Sequence, residues 1–327
     1  MAKSRKLEDT IALLAEIRAD PSSDVGITTL SQVLNSKYSV AVSQAAKLIG
    51  ESELHSLIPE LVAAFDRFMT SGSDSDPGCL AKMRIAEALY RLDHSNETLF
   101  LQGIRHRQME AARGGKEDTA AALRGACALA LVRMNYFHVL SELADLLADP
   151  ASEARIAAAR AIAYNGSDQG IPLLRMRVLV GDQPSVISEC LMALLQLDPK
   201  RSLPLVSRCL YARKDAIAED AELAEVAALA LGETRLPEAV EILQTWWKQI
   251  RSPELQQTGL MAIAMLRHDD AIEFLLSLIA EGRIQTAKIA LSALSIYRAD
   301  VGLWQRVSEA VDLRDEAALR QLLRSLD

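Results

Sequence analysis

Apolar residues recur at helical spacing through most of the 327-residue chain. In the segment 150–164, for example, Ala154, Ala158, Ala161 and Ile162 fall on one face of a helix. No stretch shows the sustained alternation of apolar and polar side chains that is typical of a half-buried strand. The pattern therefore predicts a chain built of helices, with no β-sheet.

One motif returns along the whole chain: a helix that ends in a pair of small and apolar residues and is followed by a polar turn. The pairs begin at Leu48, Ala88, Ala130, Ala161, Ala193, Ala230, Ala264 and Ala293. Spacings of 29–42 residues leave room for two helices and two turns in each copy. Since one helix pair cannot bury both of its apolar faces, each copy needs a neighbour. We expect an all-α protein, an α-solenoid of about eight helix pairs in a right-handed superhelix, with the Ala-rich second helices on its concave side.

The clearest copy of the motif runs DPASEARIAAARAI from Asp149 to Ile162. In this pattern the chain resembles HEAT-repeat proteins, of the bacterial subtype with short Ala-rich repeats seen in phycobilisome-lyase-like proteins. The resemblance covers roughly residues 22–313. It implies a single solenoid domain over 1–327, with an N-terminal cap helix in 1–21 and C-terminal cap helices in 300–327.

Composition and charge narrow the classes of function. Apolar residues make up 50% of the chain, which excludes a disordered protein, and the net charge of −8 argues against nucleic acid as the default partner. The charge is uneven: residues 82–181 carry 13 basic and 11 acidic side chains, whereas residues 182–282 carry 9 and 16. This distribution suggests a partner with segregated charge, or head-to-tail self-association.

The chain shows neither a signal peptide nor an apolar stretch long enough to cross a membrane, so we expect a cytoplasmic protein with no membrane contact. Its cysteines, Cys79, Cys127, Cys190 and Cys209, are spaced for no metal or redox motif. We interpret them as buried small apolar residues, and predict neither a metal site nor a cofactor.

An aspartate precedes a basic residue by six positions in three successive copies. The pairs are Asp76 and Lys82, Asp118 and Arg124, and Asp149 and Arg155. One interpretation is a polar track for an acidic peptide. The other is a structural ladder, like the Asp–Arg ladder of HEAT repeats, in which each basic side chain bonds the turn aspartate of its own or the next copy.

The most basic local segment contains Arg105, Arg107, Arg113 and Lys116. These four are candidates for binding a carboxylate or phosphate, because guanidinium groups suit bidentate recognition of such anions. The alternative is an unusually long first helix that Gly114 ends in a left-handed cap. A phosphate-binding loop is excluded, since neither a strand before it nor a Ser or Thr after the lysine is present.

Two further surfaces supply candidates. Arg84, Glu87 and Arg91 share one helical face, which we interpret as a solvated face held by its own ion pairs, and Arg160 is a candidate contact on a later helix.

Adjacent Trp246 and Trp247 point about 100° apart, so Trp247 could anchor a partner if it is exposed. Partial burial of both rings is the alternative.

The composition of the Ser- and Asp-rich segment 71–78 predicts a flexible connector.

No catalytic motif is present, so we assign no catalytic residue. The leading hypothesis is a non-enzymatic scaffold or adaptor that binds a protein or peptide in the solenoid groove. A bilin lyase or chromophore-chaperone subunit is the alternative that the family resemblance implies. A HEAT-like DNA-repair glycosylase is a third, which the net charge disfavours.

Overall fold

A computed structural model describes residues 2–211 and 218–326, with side chains over 7–211 and 221–326. Over these residues the protein has nineteen α-helices and one short β-hairpin, which confirms the all-α prediction. The chain divides into two units, unit 1 (1–173) and unit 2 (174–327). The prediction of a single domain over 1–327 stays a prediction.

The helices of unit 1 alternate between two layers. They are α1 (Ala2–Glu16), α2 (Asp24–Leu34), α3 (Ser39–Glu51), α4 (Ile58–Thr70), α5 (Leu80–Arg91), α6 (Glu97–Ile104), α7 (Ala121–Arg133), α8 (Val139–Leu147), α9 (Ser152–Asn165) and the start of α10 (Ile171–Val180). Helices α3, α5, α7 and α9 pack side by side, and each also packs against the helix that precedes it. We call these four the inner helices of unit 1 and their partners the outer helices.

Unit 2 repeats this arrangement. Its remaining helices are α11 (Pro184–Leu197), α12 (Pro199–Leu210), α13 (Ala218–Thr234), α14 (Pro237–Gln249), α15 (Pro253–Met265), α16 (Asp269–Glu281), α17 (Ile284–Leu294), α18 (Val301–Arg314) and α19 (Ala317–Leu326). The inner helices α11, α13, α15, α17 and α19 pack side by side. In the described part of the chain unit 1 thus has four inner helices and unit 2 has five, close to the predicted eight helix pairs, while the right-handed superhelix stays a prediction.

Small residues allow the inner helices to approach closely. A Cβ added to Gly232 of α13 would lie 2.6 Å from the Ala262 carbonyl oxygen of α15. On the outer side, larger side chains such as Phe65, Phe100 and Trp246 are almost fully buried. The alanine-rich pattern of the sequence therefore marks the contacts between successive inner helices.

The prediction of no β-sheet is wrong at one place. Strands β1 (Met109–Ala112) and β2 (Gly115–Asp118) form an antiparallel hairpin between α6 and α7, in which Glu110 pairs with Glu117. The predicted long helix ended by Gly114 is wrong too, because α6 ends at Ile104 and Gly114 lies in the turn of the hairpin, with φ +95°. Glycine suits this turn because residues with a side chain rarely adopt such a positive φ.

The structure also tests the predictions for the segment 71–78 and for the cysteines. The segment 71–78 is ordered into short 3₁₀ turns over 73–75 and 77–79, and its Asp76 is completely buried, so the prediction of a flexible connector is wrong. All four cysteines are buried and free, as predicted. Among the described residues, no helix is both long and apolar enough to cross a membrane.

Candidate functional site

Three inner helices of unit 1 start from equivalent aspartates. Asp76, Asp118 and Asp149 accept hydrogen bonds from backbone N–H groups at the starts of α5, α7 and α9, among them those of Ala81 and Ala151, each at 2.8 Å. A carboxylate at this position satisfies donors that have no partner within the helix. The residues 5, 6, 9, 10, 12 and 13 positions after each aspartate are buried in all three helices, so residues at equal distances from the aspartates lie at corresponding heights.

The basic residues of the proposed ladder are buried next to these aspartates. The Lys82 ammonium lies 3.2 Å from an Asp76 carboxylate oxygen, and both side chains are almost fully buried. Arg155 donates to the backbone carbonyls of Asp149 and Pro150 at 2.7 and 2.8 Å.

Arg124 spans two copies of the repeat. Its Nη1 lies 2.8 Å from Asp118 of its own copy, and its Nε lies 3.0 Å from Asp149 of the next. Burial raises the pKa of Asp118, but hydrogen bonds from the Gln108 and Ala120 backbone and the charge of Arg124 outweigh it, and the net shift is downward. That these contacts fix the register of the repeats is our proposal.

The basic segment 105–116 is divided by the fold. Arg105 pairs with Glu142 of α8, and Arg107 lies 2.6 Å from Asp149 and 3.4 Å from Asp118. Both guanidinium groups therefore already face carboxylates.

Arg113 and Lys116 are exposed at the turn of the hairpin. In the described part of the chain neither takes part in an ion pair. The four candidates therefore do not form one patch.

The remaining candidates lie apart. Arg160 is exposed on α9. Trp246 is buried, and its indole N–H donates to the Leu210 carbonyl oxygen at 2.9 Å. Trp247 is half-buried and its ring packs edge-on against Phe274, with 5.7 Å between ring centroids. Trp246 is thus more buried than Trp247, and Trp247 as a partner anchor stays a prediction.

The solvent-facing side of the inner helices of unit 1 forms a surface. The sequence pattern singled out only four of its residues, Arg84, Glu87, Arg91 and Arg160. The surface consists of the residues 4, 8, 11 and 15 positions after each aspartate, all exposed or half-buried. They are Leu80, Arg84, Glu87 and Arg91 on α5, Ala122, Ala126, Leu129 and Arg133 on α7, and Glu153, Ala157, Arg160 and Tyr164 on α9. We call these twelve residues the inner face of unit 1.

The centre of this inner face is apolar. It also lies lower than the edges, because the side chains of α7 at the centre are shorter than those of α5 and α9 beside them. Ala122, Ala126 and Leu129 form a floor between α5 and α9. Arg91 stands on one side of this floor and Arg160 on the other. Four arginines and two glutamates give the inner face a formal charge of +2.

One end of the floor is closed by aromatic and basic side chains. The Arg133 guanidinium lies 4.6 Å from the centre of the Tyr90 ring, and the Arg133 Nη1 is 3.1 Å from Asp93. Burial raises the pKa of Tyr90, and a side-chain hydrogen bond with Tyr164 adds to this shift. Helices α5 and α9 are thus linked across the end of α7.

Arg91 differs from the other basic residues of this surface. Arg84 pairs with Glu87 at 2.6 Å, and Arg133 is occupied by Asp93 and Tyr90. Arg91 is exposed and forms no ion pair with any described residue. The interpretation of Arg84, Glu87 and Arg91 as a face held by its own pairs therefore fits the first two residues and leaves Arg91 available.

Comparison with known proteins gives likeness of fold only. No protein-family model matches the sequence, and no curated protein sequence matches it. The structure of the complex of CpcE and CpcF of phycocyanin lyase from Nostoc sp. PCC7120 is 18% identical, with 82% of this chain and 94% of that chain covered and a TM-score of 0.41.

Two other solved structures are similar at the same level. Human deoxyhypusine hydroxylase in complex with glycerol is 17% identical, covering 78% of this chain and 89% of that chain, with a TM-score of 0.32. An engineered protein is 18% identical, covering 93% of both chains, with a TM-score of 0.38. What these proteins bind or assemble with does not carry over to this chain at such values.

Proposed function

We propose that the protein is a non-enzymatic binding scaffold, and that the inner face of unit 1 binds an acidic segment of a protein partner. The observation that carries this proposal is Arg91, an exposed cation without an ion pair in the described part of the chain, beside the apolar floor of α7. An apolar side chain of the partner would rest on Ala126 and Leu129. Its flanking carboxylates would meet Arg91 and Arg160.

The chemistry of this surface suits recognition more than catalysis. Guanidinium groups bind carboxylates in bidentate geometry, and the alanines of α7 leave room for a partner's side chain. The linked side chains of Tyr90, Arg133 and Tyr164 hold one end of the surface in place. A surface that is ordered before binding loses less conformational freedom when it binds.

Binding of a labelled helical peptide of glutamate and leucine, measured by fluorescence anisotropy at low salt, tests the proposal. Replacing both arginines, Arg91→Glu with Arg160→Glu, should weaken binding by roughly tenfold or more, equal to about 1.4 kcal/mol. Lys37→Glu with Arg298→Glu makes the same charge change at exposed sites off this surface. Equal loss in both double variants, or no binding by the unmodified protein, would overturn the proposal.

The hairpin provides a competing site that the same assay separates. Arg113 and Lys116 are also exposed and without ion pairs among the described residues. If Arg113→Glu with Lys116→Glu weakens binding of the peptide and the Arg91 and Arg160 variant does not, the hairpin turn is the binding site. Our assignment to the inner face is then wrong.

A second candidate function is binding of a bilin chromophore, which the apolar floor between arginines favours. A linear tetrapyrrole carries two propionates on an apolar body, so Arg91 and Arg160 could each hold one. Titration of a free bilin while its absorbance is recorded tests this candidate. An unchanged spectrum would remove it, and a shift lost in the Arg91 and Arg160 variant would favour it over the peptide.

A further inference from the structure

Unit 2 has an inner face of opposite charge. The buried residues of α11, α13, α15 and α17 match one another when the helices are aligned at Ala193, Ala230, Ala262 and Ala293, all of which are buried. One residue before each of these alanines lies a half-buried side chain: Met192, Leu229, Met261 and Ser292 in turn. Three adjacent helices thus each place an apolar side chain at the same position, and we call these three side chains the apolar row.

Glutamates flank this row. Glu222, Glu225 and Glu233 are exposed on α13, and Glu254 is exposed on α15. No ion pair to any of the four forms within the described part of unit 2, although Thr258 donates to Glu225 at 3.3 Å and Ser252 to Glu254 at 2.6 Å. Their charge is therefore available to a partner.

The row and its glutamates have the chemistry of a surface for a helix. Methionine side chains are flexible and polarisable, so they adapt to apolar partners of different shape. An amphipathic helix binds such a surface through apolar residues on one face, and carboxylates along the edges select for lysine and arginine on its flanks.

We infer that the inner face of unit 2 binds a basic amphipathic helix, whose apolar residues seat on Met192, Leu229 and Met261 and whose cations meet Glu222, Glu225, Glu233 and Glu254. This site is additional to the one proposed on unit 1. It rests on different residues and on ligands of the opposite charge.

The spacing of the helices defines the peptide that fits. Packed helices lie about 8–10 Å apart, and seven residues of a helix span about 10.5 Å. A peptide that crosses α11, α13 and α15 therefore needs three apolar residues roughly seven positions apart, over about four helical turns. A leucine and lysine peptide with leucines at this period meets the requirement, and a scrambled peptide of the same composition does not.

The experiment measures binding of three labelled peptides to the 327-residue chain by fluorescence anisotropy. We expect the leucine and lysine helix to bind, the scrambled peptide to bind at least about tenfold more weakly, and binding to decline with added salt as ion pairs are screened. A leucine and glutamate helix should bind elsewhere, in a manner that the unit 2 variants leave unchanged.

Variants locate the site. The substitutions Glu222→Gln, Glu225→Gln and Glu254→Gln should weaken binding of the basic helix by roughly tenfold or more, because three exposed ion pairs to it are lost together. The matched control, Glu238→Gln, Glu241→Gln and Glu281→Gln, removes the same charge from exposed positions on the outer helices. Met261→Gln tests the apolar row with no change of charge and should also weaken binding.

The outcomes separate the two sites. If the inner and outer glutamate variants bind equally, or if Met261→Gln has no effect while thermal unfolding shows the variants folded, the inference is overturned. If only the Arg91 and Arg160 variant fails to bind its acidic peptide, the unit 1 proposal stands independently. Sedimentation of the protein alone shows whether the basic segment belongs to a second copy, which would replace the separate helix as the ligand.

Discussion

Arg124 and Asp149 form a buried ion pair that joins two successive repeats. The Arg124 Nη2 donates to an Asp149 oxygen at 3.1 Å, its Nε lies 3.0 Å from the other oxygen, and both side chains are 1% exposed. Asp149 also accepts from the Ala151 backbone at the start of α9. One carboxylate therefore caps a helix and holds the neighbouring one.

Removing Asp149 should be costly. Asp149→Ala leaves the buried Arg124 charge with fewer partners, and we expect the free energy of unfolding of unit 1 to fall by about 3–5 kcal/mol. Since all three tryptophans lie in unit 2, hydrogen exchange of the backbone amides in 1–173 should be used to follow unit 1. The half-buried pair of Arg84 and Glu87, which is far more accessible to solvent, is the control, and Glu87→Ala should cost about 0–1 kcal/mol. A similar effect of the two variants would contradict the ladder.

Gly232→Ala tests the close approach of the inner helices in unit 2. Inside a helix this change usually stabilises, by about 1 kcal/mol. Here the new Cβ would lie 2.6 Å from the Ala262 carbonyl oxygen and 2.9 Å from its Cα, so we expect a loss of about 1–3 kcal/mol instead. Tryptophan fluorescence during urea unfolding measures it. Gly302→Ala, which also lies in unit 2 and brings the added Cβ only to 3.6 Å from an Asp300 carboxylate oxygen, should be nearly neutral.

His106 should make the stability of unit 1 depend on pH. Burial lowers the pKa of His106, and the Lys82 charge adds to the shift, so the unfolded chain takes up a proton before the folded one does. The free energy of unfolding should therefore decrease as the pH falls below about 6.5, the usual pKa of a free histidine.

The comparison that measures this effect is urea unfolding at pH 7.5 and pH 5.5. His106→Gln should reduce the loss of stability between the two values, whereas His55→Gln, which changes an exposed ring, should leave it as it is. Asp118 does not interfere, because its lowered pKa affects stability only at more acidic pH. An unchanged slope in His106→Gln would show that another group is responsible.

The helices could be read from the sequence because their signals are local. The aspartate that starts each of three inner helices, the basic residue six positions later and the alanine pair near the end all lie within about 15 residues of one another. The hairpin lacked such signals. Its strands are only four residues long. They are held in place by Glu110, which accepts a hydrogen bond from the Gly78 backbone, and by Asp118, which accepts one from the Gln108 backbone.

The candidate site was harder to predict because its contacts join residues that lie far apart in the sequence. Arg105 and Arg107 are prominent in the sequence, yet the fold brings Glu142 and Asp149 to them from 37 and 42 positions away. Arg91 looked like part of a self-paired face because its spacing from Glu87 permits a pair. Which of two arginines that glutamate chooses depends on side-chain packing, and the structure pairs it with Arg84.

Glu110 should determine whether the hairpin is rigid. Its Oε1 accepts hydrogen bonds from the Gly78 backbone at 2.8 Å and from the Thr119 hydroxyl at 2.9 Å, and Gln108 also donates to it. Glu110→Ala removes all three. The hairpin turn, with cleavage sites after Arg113 and Lys116, should then open more often, and trypsin should cut there severalfold faster.

The neighbouring strand supplies a matched control. Glu117 is the cross-strand partner of Glu110 in the register but is exposed, and its side chain makes no hydrogen bond within the described part of the chain. Glu117→Ala therefore removes the same charge from the same hairpin and should leave the rate of cleavage after Arg113 unchanged. Because Glu110 bonds to residues before α5 and before α7, its loss frees the hairpin from two repeats at once. Equal cleavage of the two variants would mean that the strands hold together without this anchor.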